Sequence, residues 1–367
     1  MKTNQLYLDS FLLLEDLIRT PSFSKDESKT AALIRERISD YGISCEQLGN
    51  NVWCKSRFFD SSKPTLLLNS HHDTVRPNGK WTNDPFSPVM NGQKLYGLGS
   101  SDAGASLVSL LAAFRFFHAS DLPFNLVFAA TAEEEISGKG GIEMLWPHLP
   151  EIDFALVGEP TKMQVAVAEK GLLVLDCLAK GKSGHAARNE GENAITIAMK
   201  DIAWFHQHHF DRISKWLGPV KMSVTMINAG TQHNVVPAEC TFTVDVRVNE
   251  LYSMEEILST ISGNISSEVY PRSLRLHSSG ISADHPLILN ARHLGKTLFG
   301  SPTLSDQALI PVPSIKMGPG DSARSHTADE HIFLSELREG IEGYIEFITS
   351  LTQIYQHETL AENTGRK

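Results

Sequence analysis

Leu66-Leu67-Leu68-Asn69-Ser70-His71-His72-Asp73 is an apolar run that breaks off into metal-binding side chains, and two further stretches repeat the pattern. Leu126-Val127-Phe128 leads to Glu133-Glu134-Glu135, and Phe154-Ala155-Leu156-Val157 leads to Glu159. Short apolar runs bounded by turn residues suit strands buried on both faces. The C-terminal ends of parallel strands open onto a common crevice, where α/β sheets bind ligands. Asp102, at the start of a helical stretch, and His326, after the turn Gly318-Pro319-Gly320, extend the set to two imidazoles and several carboxylates. That inventory suits a two-metal hydrolytic centre.

The intervening segments agree with such a sheet. Residues 103–117, rich in Ala and Leu, lie between the first two runs, so strand, helix and strand form a right-handed crossover with both strand ends on one edge. Upstream, residues 7–18 and 24–41 carry apolar side chains at helical spacing, with Ser24 as a cap for the second helix. Near Leu172 the texture changes. An apolar run to Leu178 is followed by the loop Ser183-Gly184-His185, a helical stretch over 194–206, strand-like runs over 222–227 and 240–248, and a helical stretch over 254–264. That order predicts a second domain, a compact sheet with helices on one face, inserted at residues 173–282 into a first domain of residues 1–172 and 283–367. The chain then returns to helix over 286–298, a strand at 314–317 and a final helix over 334–355, with a loose polar tail over 357–367.

Composition narrows the function classes. A chain of 367 residues exceeds one average domain, in keeping with two. The formal net charge of -10, with no basic block, argues against a nucleic-acid partner. Cys45, Cys54, Cys177 and Cys240 form no Cys-x-x-Cys pair and read as reduced thiols of a cytoplasmic protein. Glu15 and Asp16 interrupt the run that begins Phe11-Leu12-Leu13-Leu14, so an amphipathic helix is expected there, neither a signal peptide nor a membrane span.

On an extended backbone His71 and Asp73 point the same way and His72 the other. Asp73 is then placed to accept the second ring N–H of a metal-bound His71, fixing its tautomer, although such a pair also serves to satisfy loop groups. Three successive acids at Glu133, Glu134 and Glu135 read as a solvated helix start, or as one carboxylate on a metal with its neighbour holding a proton. Asp102 suits an N-cap as well as a ligand. Glu159 stands between a buried run and Pro160 and needs a partner, whereas His326 reads as a ligand or a loop histidine.

Five motifs in order resemble the di-zinc aminoacylase and carboxypeptidase family that includes acetylornithine deacetylase, acetylcitrulline deacetylase, succinyl-diaminopimelate desuccinylase and carboxypeptidases of the G type. They are His71-His72-Asp73, Tyr96 to Asp102, Thr131-Ala132-Glu133-Glu134-Glu135, Gly158-Glu159-Pro160, and the Gly-Pro-Gly turn followed by His326 and an acidic pair ending at Glu330. The resemblance implies an α/β catalytic domain with a mainly parallel sheet and helices on both faces, and an inserted α+β lid that also forms a homodimer. It implies that His71 and Glu159 hold one zinc ion, Glu135 and His326 the other, and that Asp102 bridges them. Cobalt or manganese suits the same nitrogen and oxygen donors.

By the same resemblance Asp73 orients His71, and Glu134 takes a proton and delivers it to the leaving amine. Ser183-Gly184-His185-Ala186-Ala187 is similar to a family segment whose histidine stabilises the oxyanion from a partner subunit. Asn234-Val235-Val236-Pro237 and Asp245-Val246-Arg247 are similar to two substrate-binding signatures, with Arg247 gripping a carboxylate; an ion pair with Asp245 is its plainer reading. Lys170 is a substrate contact or a solvated junction lysine. Ser70 stands where the family usually has Gly, and Ala103-Gly104 replaces a common Met-Lys. The implied reaction is removal of an acyl group from a small N-acyl amino acid, N-acetylornithine or N-acetylcitrulline first. A succinyl-diaminopimelate desuccinylase-like deacylase, a dipeptidase or carboxypeptidase, and a catalytically silent ligand-binding protein are the alternatives.

Overall fold

The computed structural model describes residues 3–188 and 190–364, with side chains described to residue 356. Contacts divide the chain into two units: Met1–Val167 with Ile281–Phe299 and Ser305–Lys367, and Ala168–Gly280 with Gly300–Leu304.

The first unit is built on a sheet whose order is Glu46–Leu48, Asn51–Lys55, Asn125–Thr131, Thr65–His71, Phe154–Val157, Ser314–Lys316, Val165–Glu169. The three apolar runs of the sequence are its central strands, fully buried along their length. Thr65–His71 lies parallel to both neighbours, and Ser314–Lys316 parallel to Phe154–Val157, while the outer strands pair antiparallel. The sheet is therefore parallel at its centre and mixed at its margins. Its register sets His71 opposite Thr131 and Asn69 opposite Val157, so the three chains leave the sheet side by side.

Alternate side chains of these strands enter opposite layers. Leu67, Val127, Ala129, Ala155 and Val157 pack with Ile142, Leu145 and Ile310 from short helical turns. On the other face Ala105–Phe117 packs against Thr65–His71 and against Leu334–Thr364, and the Phe114 and Phe128 rings meet at 6.0 Å. Burying each of the Leu, Val, Ile and Phe side chains contributes about 1.5–3 kcal/mol.

Several boundaries differ from the sequence reading. Ser24 caps no helix: that helix is Ser28–Asp40 with Glu27 at its N-cap, and the Ser24 hydroxyl donates to Asp73 instead. The helix expected over 286–298 ends at His293, because Gly295 adopts a positive φ and Leu298–Ser301 is a strand. The last helix continues to Thr364, so the tail expected to be loose is helical to that point; residues 365–367 lie outside the described residues.

The second unit holds an antiparallel sheet in the order Lys221–Ala229, Glu239–Val248, Gly171–Lys180, Glu268–Pro271. Burial alternates along Gly171–Lys180, as one covered face requires. Leu173, Leu175, Val244 and Val246 pack with Ala198 and Phe205 of Ala194–Gln207 and with Ile257 and Ile261 of Met254–Ser262. Asn193 caps the first helix by accepting from the Ile195 N–H, and Ser253 with Glu256 forms a capping box on the second. Among the described residues no helix is long and apolar enough to cross a membrane.

Candidate metal centre

His71 ends the middle one of the three buried central strands, and its ring is enclosed. Its Nδ1 lies 3.0 Å from the Asp73 carbonyl oxygen and 3.4 Å from Asp73 Oδ1, so the backbone is the nearer partner. A proton on Nδ1 leaves the Nε2 lone pair facing Asp102 Oδ1 at 3.3 Å, Glu159 Oε1 at 3.7 Å and Glu134 Oε2 at 3.8 Å. Burial opposes charging this ring, but Glu134, Asp102, Asp73 and Glu159 outweigh it and raise its pKa well above the ordinary value.

Asp102 is not a helix cap. The Ala105–Phe117 helix starts beyond it with no side-chain cap, and its carboxylate turns instead toward the strand ends. Oδ1 faces His71, and Oδ2 lies 3.6 Å from His326 Nε2, so each oxygen of one carboxylate serves a different imidazole. The loop is held by Glu330, whose Oε1 accepts the N–H groups of Ser101 (2.7 Å) and Asp102 (2.9 Å) and whose Oε2 accepts that of Gly99 (3.0 Å).

The acidic run leaves the Asn125–Thr131 strand through Glu133, which adopts a left-handed backbone with φ 55 and ψ 19. The turn is tight: a Cβ at Gly138 or Gly140 would collide with the Glu133 side chain. Asp73 accepts the next two N–H groups, Glu134 at Oδ1 (3.0 Å) and Glu135 at Oδ2 (3.2 Å). Glu135 Oε2 then meets His326 Nε2 at 2.8 Å, and this bond pushes the His326 pKa up to about 9. Glu159 follows Val157 by two residues; the departure from the family pattern at Ser70 is accommodated because its hydroxyl donates to the Gly158 carbonyl at 2.8 Å.

Donor atoms of His71, Glu134 and Glu159 lie within 4.8 Å of one another, and so do those of His71, Asp102 and Glu135. These are two clusters of a kind that holds metal ions. Burial, opposed by His71 and reinforced by Asp102, pushes Glu159 up to about 8. Burial also raises Glu134 well above the ordinary range, with His71 opposing and Glu159, Asp306 and Glu135 adding. So many carboxylates around two imidazoles repel one another, and divalent cations relieve that repulsion. The nitrogen and oxygen donor set fits zinc.

His72 points away from this centre. Its Nε2 lies 2.9 Å from the Asn50 carbonyl and its Nδ1 2.9 Å from the Thr30 hydroxyl, and burial lowers its pKa to about 4. The neutral ring donates from Nε2 and accepts at Nδ1.

Three buried acids near the centre were not singled out from sequence as supports. Glu330 is one. Asp306 is another, where Oδ2 accepts from Asn69 Nδ2 (2.8 Å) and Thr131 Oγ1 (2.7 Å) on adjacent central strands. Glu27 is the third and binds the Glu133 N–H at 3.2 Å. Lone acids in polar stretches carry no periodic signal, although Ser305-Asp306 after Pro302 does read as a cap.

The remaining site residues lie in the second unit. Gly184–His185 pairs with Val235–Val236, and the Ala186 N–H donates to the Asn234 carbonyl at 3.1 Å, so the motifs of His185 and Asn234 are neighbours. His185 Nδ1 accepts the Ala187 N–H at 3.2 Å, which leaves Nε2 as the proton-bearing nitrogen of the neutral ring. Arg247 forks onto Asp245 at 2.8 and 3.0 Å, the plainer of its two readings. Lys170 Nζ donates to the Pro219 carbonyl at 3.3 Å; burial first, then Lys221 and Arg247, lower its pKa.

Comparison with known proteins agrees with this geometry. A sequence model described as Peptidase family M20/M25/M40 matches residues 67–350. A succinyl-diaminopimelate desuccinylase of Xylella fastidiosa is 29% identical over 360 residues, covering 89% of this chain and 94% of that one. Its counterpart in Xanthomonas campestris pv. campestris is 27% identical over 361 residues, covering 90% and 95%. Among solved structures, aminopeptidase PepT from Bacillus cereus superposes with a TM-score of 0.76 at 19% identity, covering 94% of this chain and 98% of that one. The M20 family metallo-carboxypeptidase Sso-CP2 from Sulfolobus solfataricus gives 0.73 at 15%, covering 94% and 99%.

Proposed function

This chain belongs to peptidase family M20/M25/M40, and from that premise we propose that it is a zinc-dependent deacylase that removes a succinyl group from a diamino acid, as in succinyl-diaminopimelate. The observation that carries the hydrolytic part is the Asp102 carboxylate, one oxygen toward each imidazole, with Glu134 beside them. N-acetylornithine or N-acetylcitrulline is the first substrate expected from the motifs, whereas the desuccinylase relatives favour the succinyl alternative. A second support is the cation group of the inserted unit. Lys221 stands opposite Arg247 in the sheet register, and both depress Lys170. With Arg247 forked onto Asp245, Lys170 and Lys221 are the cations that suit an acyl chain ending in a carboxylate better than an acetyl group.

In this reading His71 and Glu159 would hold one zinc ion and Glu135 and His326 the other, with the two oxygens of Asp102 facing the two imidazoles. Bound zinc supplies a polarised carbonyl and a water whose pKa falls to about 7. Glu134 is as close to His71 as Glu159 is, and its role as proton carrier rests on the family motif. Its carboxyl, raised by burial, is able to hold a proton taken from water and return it to the departing amine. Asp73 fixes both the His71 ring and the Glu134 backbone. By the family motifs, His185 of the partner subunit would donate from Nε2 to the developing oxyanion, and Arg247, once released from Asp245, would bind a substrate carboxylate with Asn234 and Lys170.

The inserted domain, residues 173–282 in the sequence reading, acts as lid and dimer contact. Met226 and Ile227 on the edge strand Lys221–Ala229 and Met199 on Ala194–Gln207 are large apolar side chains left exposed, which suits a second copy. Free thiols, three of them buried, suit a reducing cytoplasm.

The test is turnover of N-succinyl-diaminopimelate, N-acetylornithine, N-acetylcitrulline and dipeptides by the zinc-loaded protein. The highest kcat/KM is expected on the succinylated substrate. Preference for an acetylated one returns the assignment to the first reading, and cleavage of dipeptides alone rejects a deacylase.

A further inference from the structure

Four successive backbone N–H groups at the start of the acidic loop bond to side chains. Ala132 donates to Asn51 Oδ1 (3.0 Å), Glu133 to Glu27 Oε1 (3.2 Å), and Glu134 and Glu135 to the two oxygens of Asp73. Asn51 and Asp73 belong to or follow strands of the main sheet, whereas Glu27 comes from the N-cap of the Ser28–Asp40 helix. Glu27 is fully buried. Its carboxylate also accepts the Lys25 N–H at Oε1 (2.7 Å) and the Asn50 Nδ2 group at Oε2 (2.8 Å).

We propose that Glu27 is a positioning residue for Glu134, acting through the backbone of Glu133. Glu133 is a non-glycine residue in the left-handed region, a conformation that persists where the surroundings impose it. Its N–H is held by Glu27, its carbonyl accepts the Gly138 N–H at 2.7 Å, and its side chain accepts the Gly140 N–H at 3.2 Å. Without the acceptor on its N–H, Glu133 has an unpaired donor in a part-buried place and an incentive to return to an ordinary φ. That rotation moves the next residue, and a misplaced proton carrier costs rate without emptying a metal site. Asn50 ties the support down, because its side chain binds Glu27 while its carbonyl accepts from His72.

The inference rests on Glu134 as the proton carrier, so Glu134→Gln is measured beside Glu27→Ala and Glu27→Gln. For Glu27→Ala we expect kcat to fall about 10- to 100-fold with KM within about twofold and two zinc ions per chain retained. Glu27→Gln, which keeps one acceptor oxygen, loses less. A crystal structure of zinc-free Glu27→Ala is expected to show Glu133 out of the left-handed region. Full turnover in Glu27→Ala overturns the proposal while Glu134→Gln is inactive. An active Glu134→Gln protein instead removes the reading beneath it. Loss of zinc together with kcat, or failure of both Glu27 variants to fold, makes Glu27 a support of the metal site or the fold and overturns positioning of Glu134.

Discussion

Asp73 accepts the backbone N–H of Glu134 at 3.0 Å, and through that bond the strand end that carries His71 also fixes the acid assigned to move the proton. Its other oxygen serves Glu135 and Ser24. Asp73→Asn turns one acceptor into a donor that faces a donor. Zinc affinity or kcat should fall about 10- to 100-fold, measured by zinc titration and steady-state kinetics. An Asp73→Asn protein matching its parent in both would remove the orienting role.

Metal removal should abolish turnover and lower Tm, with both restored by zinc. A ligand that binds only the folded state at 100 times its Kd stabilises by about 2.7 kcal/mol. Thermal unfolding with and without chelator measures the shift. An unchanged Tm would mean that the carboxylates hold no ion in solution.

The same carboxylates predict a pH dependence. Burial, with Asp102 adding, pushes Glu330 up to about 8; Glu159 also reaches about 8, and His326 about 9. Each lies above its ordinary value, 4.5 for Glu and 6.5 for His, so the folded metal-free protein binds more protons than the unfolded chain between those limits. Stability from these groups is full below the ordinary values and is lost as pH rises through about 8 to 9. Metal-free protein should therefore show a falling Tm over that window, while zinc affinity rises and binding releases protons. Calorimetry in buffers of different ionisation enthalpy counts those protons. Zinc binding with no proton release contradicts this assignment.

His185→Ala should lower kcat by about 10²- to 10³-fold, the usual worth of one oxyanion donor, with zinc content unchanged. If the variant loses zinc instead, His185 is a ligand.

The central strands and the acids that follow them were legible because burial on both faces leaves an unbroken apolar run, and charges just beyond it stand out. The motif order then separated Asp102 from an ordinary N-cap. Glu27, Asp306 and the supporting role of Glu330 were not legible, because each acts on backbone N–H groups or side chains distant in sequence, such as Glu27 on Glu133. Ser24 was misread for the same reason, since a hydroxyl before a helix suits a cap whether or not a buried carboxylate claims it. The 286–298 stretch was overextended because its apolar spacing continues past Gly295, whose positive φ ends the helix.

Glu134→Gln tests the central claim most directly. Zinc content and kcat on N-succinyl-diaminopimelate are measured on the same preparation. Two zinc ions per chain with kcat reduced about 10²- to 10⁴-fold is the predicted result, the span expected when a general acid–base group is removed. Zinc retained with kcat unchanged would contradict the account, because the proton would then travel by another group.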